Sequence, residues 1–170
     1  MSFKIGIVSD THIPDRVRRL PDRLLDDFSS ADKIIHAGDL TSSKVMEKLA
    51  DVAPVSCVHG NCDGISLRRK LPESFTRSWA GIKISACHGY YSSRNILRNL
   101  AYQFDESRVI IFGHTHRAFK SREDDRLFIN PGSPTVPRGQ SSGTYAILHI
   151  EEKVEEDNIR VEFKKVGSSP

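Results

Sequence analysis

FKIGIVSDTH (Phe3–His12) is a short apolar run that gives way abruptly to polar residues. A run of this length without helical spacing reads as a buried strand, Phe3–Val8, that stops at a loop. The same pattern recurs along the chain. Lys33–Ala37 ends at Gly38-Asp39, Pro54–His59 at Gly60-Asn61, Ile82–Cys87 at His88-Gly89, and Val109–Phe112 at Gly113-His114-Thr115-His116. Helices fall between these strands. Arg16–Phe28 carries Val17, Leu20, Leu24, Leu25 and Phe28 at helical spacing, with Pro21 as a kink or restart. Ser42 or Ser43 caps a helix to Leu49 or Ala50, and Ser92 or Ser93 opens one through Ile96, Leu97 and Leu100 to about Phe104. Beyond residue 116 the pattern changes. Ala118–Ser121, Arg126–Ile129, Thr144–Ile150 and Ile159–Val166 read as strands joined by turns, the last pair a hairpin across the acidic stretch Glu151–Asp157. The class is α/β: a mixed sheet, or two sheets packed face to face, with helices outside.

The bulk properties agree with one domain over 1–170. The 170 residues suffice for a core without disulfide or metal staples, and 38% hydrophobic with 28% charged residues is an ordinary globular composition. No run approaches the roughly 18 apolar residues of a membrane span, and the opening residues read as a strand and not as a signal peptide. The net charge of +3 is scattered, so Arg16, Arg18 and Arg19, and Arg68, Arg69 and Lys70, read as solvated surface, and nucleic acid is not indicated. Cys57, Cys62 and Cys87 are odd in number and form no CxxC, which implies a reducing compartment, the cytoplasm.

The polar residues at the strand ends carry the chemistry. In open α/β sheets ligands gather beyond the carboxyl ends of strands, so Asp10, His12, Asp39, Asn61, His88, His114 and His116 can converge on one rim. Two carboxylates, an amide and four imidazoles suit manganese, zinc, iron or nickel better than calcium or magnesium. Seven donors exceed one tetrahedral ion and fit two ions that share a carboxylate. Ions about 3.5–4 Å apart can bridge a water, lower its pKa and clamp the oxygens of an in-line displacement at phosphorus. In Asp10-Thr11-His12 and His114-Thr115-His116, side chains two apart point the same way if the backbone stays extended. Each element alone has a bland reading: an Asp after a strand caps a turn, Gly-Asn is a turn, a single His is a hydrogen-bonded structural residue. Their joint occurrence in order, at strand ends, selects the metal reading.

These motifs, Asp10-Thr11-His12, Gly38-Asp39, Gly60-Asn61-Cys62-Asp63, His88-Gly89 and Gly113-His114-Thr115-His116, extended by Asn130-Pro131-Gly132-Ser133, resemble the calcineurin-like metallophosphoesterase superfamily. The short chain, the Gly-Asn-Cys-Asp variant and the Asn-Pro-Gly-Ser segment resemble its small bacterial and archaeal phosphodiesterases, a group that the retromer scaffold subunit also resembles. The resemblance implies a two-sheet β-sandwich flanked by helices, a four-layer α/β/β/α arrangement. It implies that Asp10, His12 and His116 hold a first ion, that Asn61, His88 and His114 hold a second, and that Asp39 bridges them. Manganese stands first among the ions, with nickel, zinc or iron as alternatives. A hydroxide between the ions would be the nucleophile, and Asn61 would help to bind the phosphate oxygens of a small-molecule ester. Cys62 stands where many members carry a His that protonates the leaving group or holds the phosphate. A thiol with an ordinary pKa of about 8.5 cannot act as an imidazolium, so diesters and acidic leaving groups should be favoured over alkyl monoesters. Gly38-Asp39 continues as Leu40-Thr41-Ser42-Ser43, without the Asp-Arg-Gly of protein phosphatases. The rival reading is a metal-binding scaffold of the same fold.

His36 is expected to be a packed histidine, His59 to be structural or to reach the substrate, and Asp63 to orient a ligand or close a turn. His149 receives no function. Specificity would lie in the loops Ile13–Arg19, Gly64–Lys70 and Tyr90–Arg94, and exposed strand edges could pair copies into a homo-oligomer.

Overall fold

In the computed structural model, residues 2–89, 95–151 and 158–167 are described. Ten strands and four helices follow one another among them: β1 (Ser2–Val8), α1 (Asp22–Phe28), β2 (Lys33–His36), α2 (Ser43–Ala50), β3 (Val55–Cys57), α3 (Ile65–Lys70), β4 (Ser74–Trp79), β5 (Ile82–Cys87), α4 (Ile96–Gln103), β6 (Val109–Ile111), β7 (Ala118–Glu123), β8 (Arg126–Pro131), β9 (Thr144–Glu151) and β10 (Ile159–Lys165).

The strands form two five-stranded sheets, ordered β10-β9-β1-β2-β3 and β4-β5-β6-β8-β7. The sandwich alternative is the one that the chain adopts. In the first sheet β1, β2 and β3 are parallel and β9 runs against β1. In the second β5, β6 and β8 are parallel, with β4 and β7 antiparallel at the edges. Alternation along each strand sends side chains to opposite faces. Ile5, Ile7 and Ile35 from the first sheet and Ile84, Ile111 and Ile129 from the second fill the space between the sheets. The opposite face of the first sheet, with Val8, Ile34 and Tyr145, packs on Leu24 and Phe28 of α1 and Val45 and Leu49 of α2. The outer face of the second, with Ile110 and Phe128, packs on Leu100 of α4. The result is four layers, α/β/β/α.

Several elements depart from the sequence expectations. The first helix is only Asp22–Phe28, because Pro21 is its N-cap, with extended backbone, and no turn of helix precedes it. Helix α2 starts as expected, with Ser42 Oγ accepting from Lys44 N at 3.3 Å. The stretch expected as the loop 64–70 contains α3, and β4 was not anticipated, since Ser74–Trp79 carries polar residues on its exposed positions and no continuous apolar run. The expected Ser92 or Ser93 cap, the Tyr90–Arg94 loop and most of the acidic turn lie outside the described residues.

The topology positions the site. Because β1, β2 and β3 are parallel, their carboxyl ends share one rim, and the carboxyl ends of β5, β6 and β8 share another. Face-to-face packing brings the two rims together.

Candidate metal centre

All seven expected ligands meet where the rims join. The Asp10 carboxylate is fully buried, and its Oδ2 accepts from Ser9 Oγ at 2.7 Å and from His114 N at 3.0 Å. Its Oδ1 has no hydrogen-bond partner and faces His116 Nε2 at 3.4 Å and His88 Nε2 at 3.8 Å. Asp39 divides its oxygens similarly. Oδ1 accepts from Cys62 N at 2.8 Å, while Oδ2 lies 3.2 Å from His88 Nε2 and 3.7 Å from His12 Nε2. His12 Nε2 and His116 Nε2 are 3.3 Å apart, and Asn61 Oδ1 lies 3.1 Å from both His88 Nε2 and His114 Nδ1. Asp39 thus stands between a His12–His116–Asp10 group and a His88–Asn61–His114 group.

The imidazoles are aimed. His88 Nδ1 contacts Ala37 O at 2.8 Å, and His116 Nδ1 contacts Val136 O at 2.6 Å. A carbonyl oxygen only accepts, so each Nδ1 carries its hydrogen and, in the neutral ring, Nε2 turns a lone pair into the cluster.

The backbone reaches this geometry at a cost. Asp10 (φ 54°), His12 (47°), Asp39 (58°), His114 (69°) and His116 (59°) all occupy the left-handed region. This corrects the expectation of extended pairs at 10–12 and 114–116: the side chains of each pair reach the same rim from residues that turn left-handed. Such residues cost of order 1–3 kcal/mol each and cluster where structure serves function. The motif glycines admit the approach. A Cβ on Gly60 would collide with Asp39 Oδ1, and one on Gly113 with Ser9 Oγ.

Supporting residues hold the ligand loops. Asp63 accepts three backbone N–H groups, from Asp39 (3.0 Å) and Gly60 (2.7 Å) at Oδ2 and from Thr41 (2.7 Å) at Oδ1. It therefore locks the Asp39 loop to the Asn61 loop and does not touch a ligand imidazole. Arg68 of α3 donates to Asn61 O at 2.6 Å and Asp63 O at 2.9 Å, a clamp hidden in the sequence among ordinary surface cations. Asn130 Nδ2 donates to Gly113 O at 2.7 Å, and Ser133 Oγ donates to Asp10 O at 2.7 Å, so the segment expected as a turn braces both rims. His36 is buried as expected: Gly38 N donates to its Nδ1 at 3.2 Å, which leaves Nε2–H for Thr11 Oγ1 at 3.1 Å. Burial holds it neutral, with a pKa pushed down to about 3. His59 is half-buried and belongs to none of the ligand groups. His149 lies on β9, 3.7 Å from Glu162.

The charges are unbalanced without a cation. Burial pushes Asp10 up to about 7 despite His88 and Ser9. Asp39 stays well below the usual carboxylate range, because the His88 and Cys62 contacts outweigh its burial. His88 is raised, since its burial is outweighed by Asp39 and Asp10, whereas burial lowers His12 and His114 and brings His116 to about 4. Two buried carboxylates and several imidazole nitrogens converge here, an arrangement that a divalent cation satisfies. The unpartnered Asp10 Oδ1 and the mixed oxygen and nitrogen donors fit such an ion. Cys62 is exposed beside Asp39 and His12. Partial burial, and then the Asp39 charge, push its thiol up to about 11, so it is neutral at ordinary pH.

Fold and site together have the form of the metallophosphoesterase family, and comparison with known proteins agrees. Residues 3–153 match the calcineurin-like phosphoesterase superfamily domain, and the chain belongs to that family. It is 39% identical over 162 residues to a probable metallophosphoesterase of Methanothermobacter thermautotrophicus, covering 92% of this chain and 91% of that protein. It is 29% identical over 144 residues to phosphodiesterase MJ0936 of Methanocaldococcus jannaschii, covering 76% and 83%. Among solved structures, the Vps29 of Entamoeba histolytica complexed with Zn2+ shares the fold at a TM-score of 0.77 and 21% identity, covering 97% of this chain and 100% of that one. No described helix is long and apolar enough to cross a membrane.

Proposed function

We propose that this chain, as one domain over 1–170, is a two-metal phosphodiesterase acting on small phosphate esters. The observation that carries the proposal is Asp39 Oδ2, which is reached from one side by His12 and from the other by His88, with an unpaired Asp10 Oδ1 beside it. Asp10, His12 and His116 would hold one ion, Asn61, His88 and His114 the other, and Asp39 both, manganese being the first candidate. When bound, such ions lower the pKa of a water and offset the negative charge of the ester.

The chain's own residues do the rest. Asn61 commits its Oδ1 inward and leaves Nδ2, 3.5 Å from Cys62 Sγ, to donate to a phosphate oxygen. Cys62 offers a neutral thiol where an imidazolium would protonate the leaving group. Departure therefore goes unassisted, and rates should fall steeply as the leaving group becomes more basic. The relative named as a phosphodiesterase supports the choice of diesters.

The test is turnover of bis-p-nitrophenyl phosphate and p-nitrophenyl phosphate by metal-stripped protein after addition of Mn2+, Ni2+, Zn2+ or Mg2+. Metal-dependent diester hydrolysis that is lost in Asp39→Asn and His114→Ala supports the proposal, and equal rates on good and poor leaving groups refute the role given to Cys62. The likeness to Vps29 favours a second reading, a metal-binding scaffold. Two bound ions per chain with no turnover on any ester would select it.

A further inference from the structure

Cys62 stands between two fixed neighbours. Arg68 donates to Asn61 O at 2.6 Å and to Asp63 O at 2.9 Å, and Asp63 Oδ2 accepts from Gly60 N at 2.7 Å. Cys62 N itself donates to Asp39 Oδ1 at 2.8 Å. The backbone on both sides of the thiol is therefore pinned, and a single torsion, about Cα–Cβ, places its sulfur. That sulfur is turned to the cluster. Asn61 Nδ2 lies 3.5 Å from Sγ, and Sγ, an Asp39 carboxylate oxygen and a His12 ring nitrogen all lie within 4.8 Å of one another.

That placement adds a donor of a different kind. His12 also belongs to the group with Asp10 and His116, and Asp10 Oδ1, fully buried and without a hydrogen bond, faces that group from the inner side. The sulfur approaches from the solvent side. Donors bonded to one tetrahedral ion at about 2.0–2.3 Å stand ~3.5 Å apart, which a small rotation of the exposed Cys62 side chain brings within reach. The oxygen and imidazole donors suit most divalent ions, whereas a thiolate is soft and selects zinc over manganese or magnesium. On coordination the thiol gives up its proton to solvent, because the thiolate is the ligand. The Asn61 amide carries two hydrogens, so one can face the sulfur and the other a phosphate oxygen.

We infer that Cys62 is an eighth donor of the metal centre, its thiolate joining His12 and Asp39 on the first ion when that ion is thiophilic, zinc above all. Manganese and magnesium leave the thiol protonated and outside their coordination. The inference rests on the metal-centre part of the reading above and adds selectivity between ions to it. Cys57 and Cys87 are buried in the cores on the helix-covered faces of the two sheets, so Cys62 is the thiol of the three that reaches the centre.

The experiment titrates Co2+, a spectroscopic substitute for Zn2+, into metal-stripped wild type, Cys62→Ser and Cys62→Ala, all kept reduced with a phosphine. Zn2+ and Mn2+ affinities are measured alongside by competition with a chelator. Wild type should show the near-ultraviolet thiolate-to-cobalt charge-transfer band. Both variants should lose that band and still bind cobalt, as the visible d–d bands report. Zn2+ affinity should fall at least about tenfold in both variants, the least that removing even a supporting partner of a ligand costs, while Mn2+ affinity changes far less. Cobalt bound by wild type without the band overturns this inference alone and leaves the metal centre standing. A band that survives in both variants comes from another thiol and overturns it, as does an unchanged Zn2+ affinity. Equal loss of Zn2+ and Mn2+ affinity would make Cys62 a brace of the Asp39 loop and also overturns it. A wild type that binds neither cobalt nor zinc overturns it together with the metal-centre reading. None of these readouts requires turnover. A chain that shows the band but hydrolyses no ester keeps this contact and loses the phosphodiesterase reading.

Discussion

At the scale of single residues, the candidate site depends on groups that never point into it. Asp63 holds the Asp39 and Asn61 loops in register through three backbone N–H groups. Asp63→Ala leaves those donors unsatisfied, and metal affinity should fall about 10- to 100-fold, as for other residues that orient ligands. Titration calorimetry with Mn2+ checks this, and Asp63→Asn, which keeps one acceptor oxygen, should lose less. His36 makes a pH prediction. Its pKa is about 3 in the folded chain against 6.5 for an ordinary histidine. The unfolded chain therefore takes up a proton below pH 6.5 that the folded chain refuses. Stability is fully present above pH 6.5 and falls by about 1.4 kcal/mol per pH unit toward pH 3 on account of this residue. Urea unfolding at pH 7 and pH 5 should show a smaller drop in His36→Asn than in wild type, whatever the variant's stability at pH 7.

At the scale of elements, helix α1 shows how packing sets what spacing suggested. Phe28 is fully buried against Tyr145, ring centroids 5.5 Å apart edge to face, and lies so close to β1 that a Cβ on Gly6 would come within 2.7 Å of its ring. One short helix is pinned to the first sheet by this side chain. Phe28→Ala should cost about 3–5 kcal/mol, the range for emptying an aromatic core site. Chemical denaturation measures the loss. Metal stoichiometry should stay as in wild type, since Phe28 packs on the helix side of the sheet and the ligands sit at its rim. The elements most legible in the sequence were those with continuous apolar runs, β1, β2, β5 and β6, buried between sheet and helices. Helix α3 and edge strand β4 escaped because one has three consecutive cations in its last turn and the other bares three consecutive polar residues, Thr76, Arg77 and Ser78.

At the scale of the whole molecule, the rim is held in an unfavourable state by the rest of the fold. Five left-handed residues that are candidate ligands and a buried carboxylate oxygen without a hydrogen bond are held in place by the surrounding packing and backbone hydrogen bonds. Ions that bind the folded chain and not the unfolded one should raise its melting temperature. At a free concentration 100 times the dissociation constant the gain is about 2.7 kcal/mol. Calorimetric melting with and without Mn2+ should show the rise in wild type and little of it in Asp39→Asn. That seven polar residues at strand ends would meet at one rim followed from the sequence, because burial between two layers demands apolar runs and the polar break after each run marks the rim. The sequence could not show which carboxylate oxygen stays unpaired, that the residues at 10, 12, 114 and 116 turn left-handed, or that Asp63 and Arg68 brace the same place. Those features depend on contacts between loops more than a hundred residues apart, such as Ser133 to Asp10 or His116 to Asp10, and only the stacking of two sheets brings such loops within reach of each other.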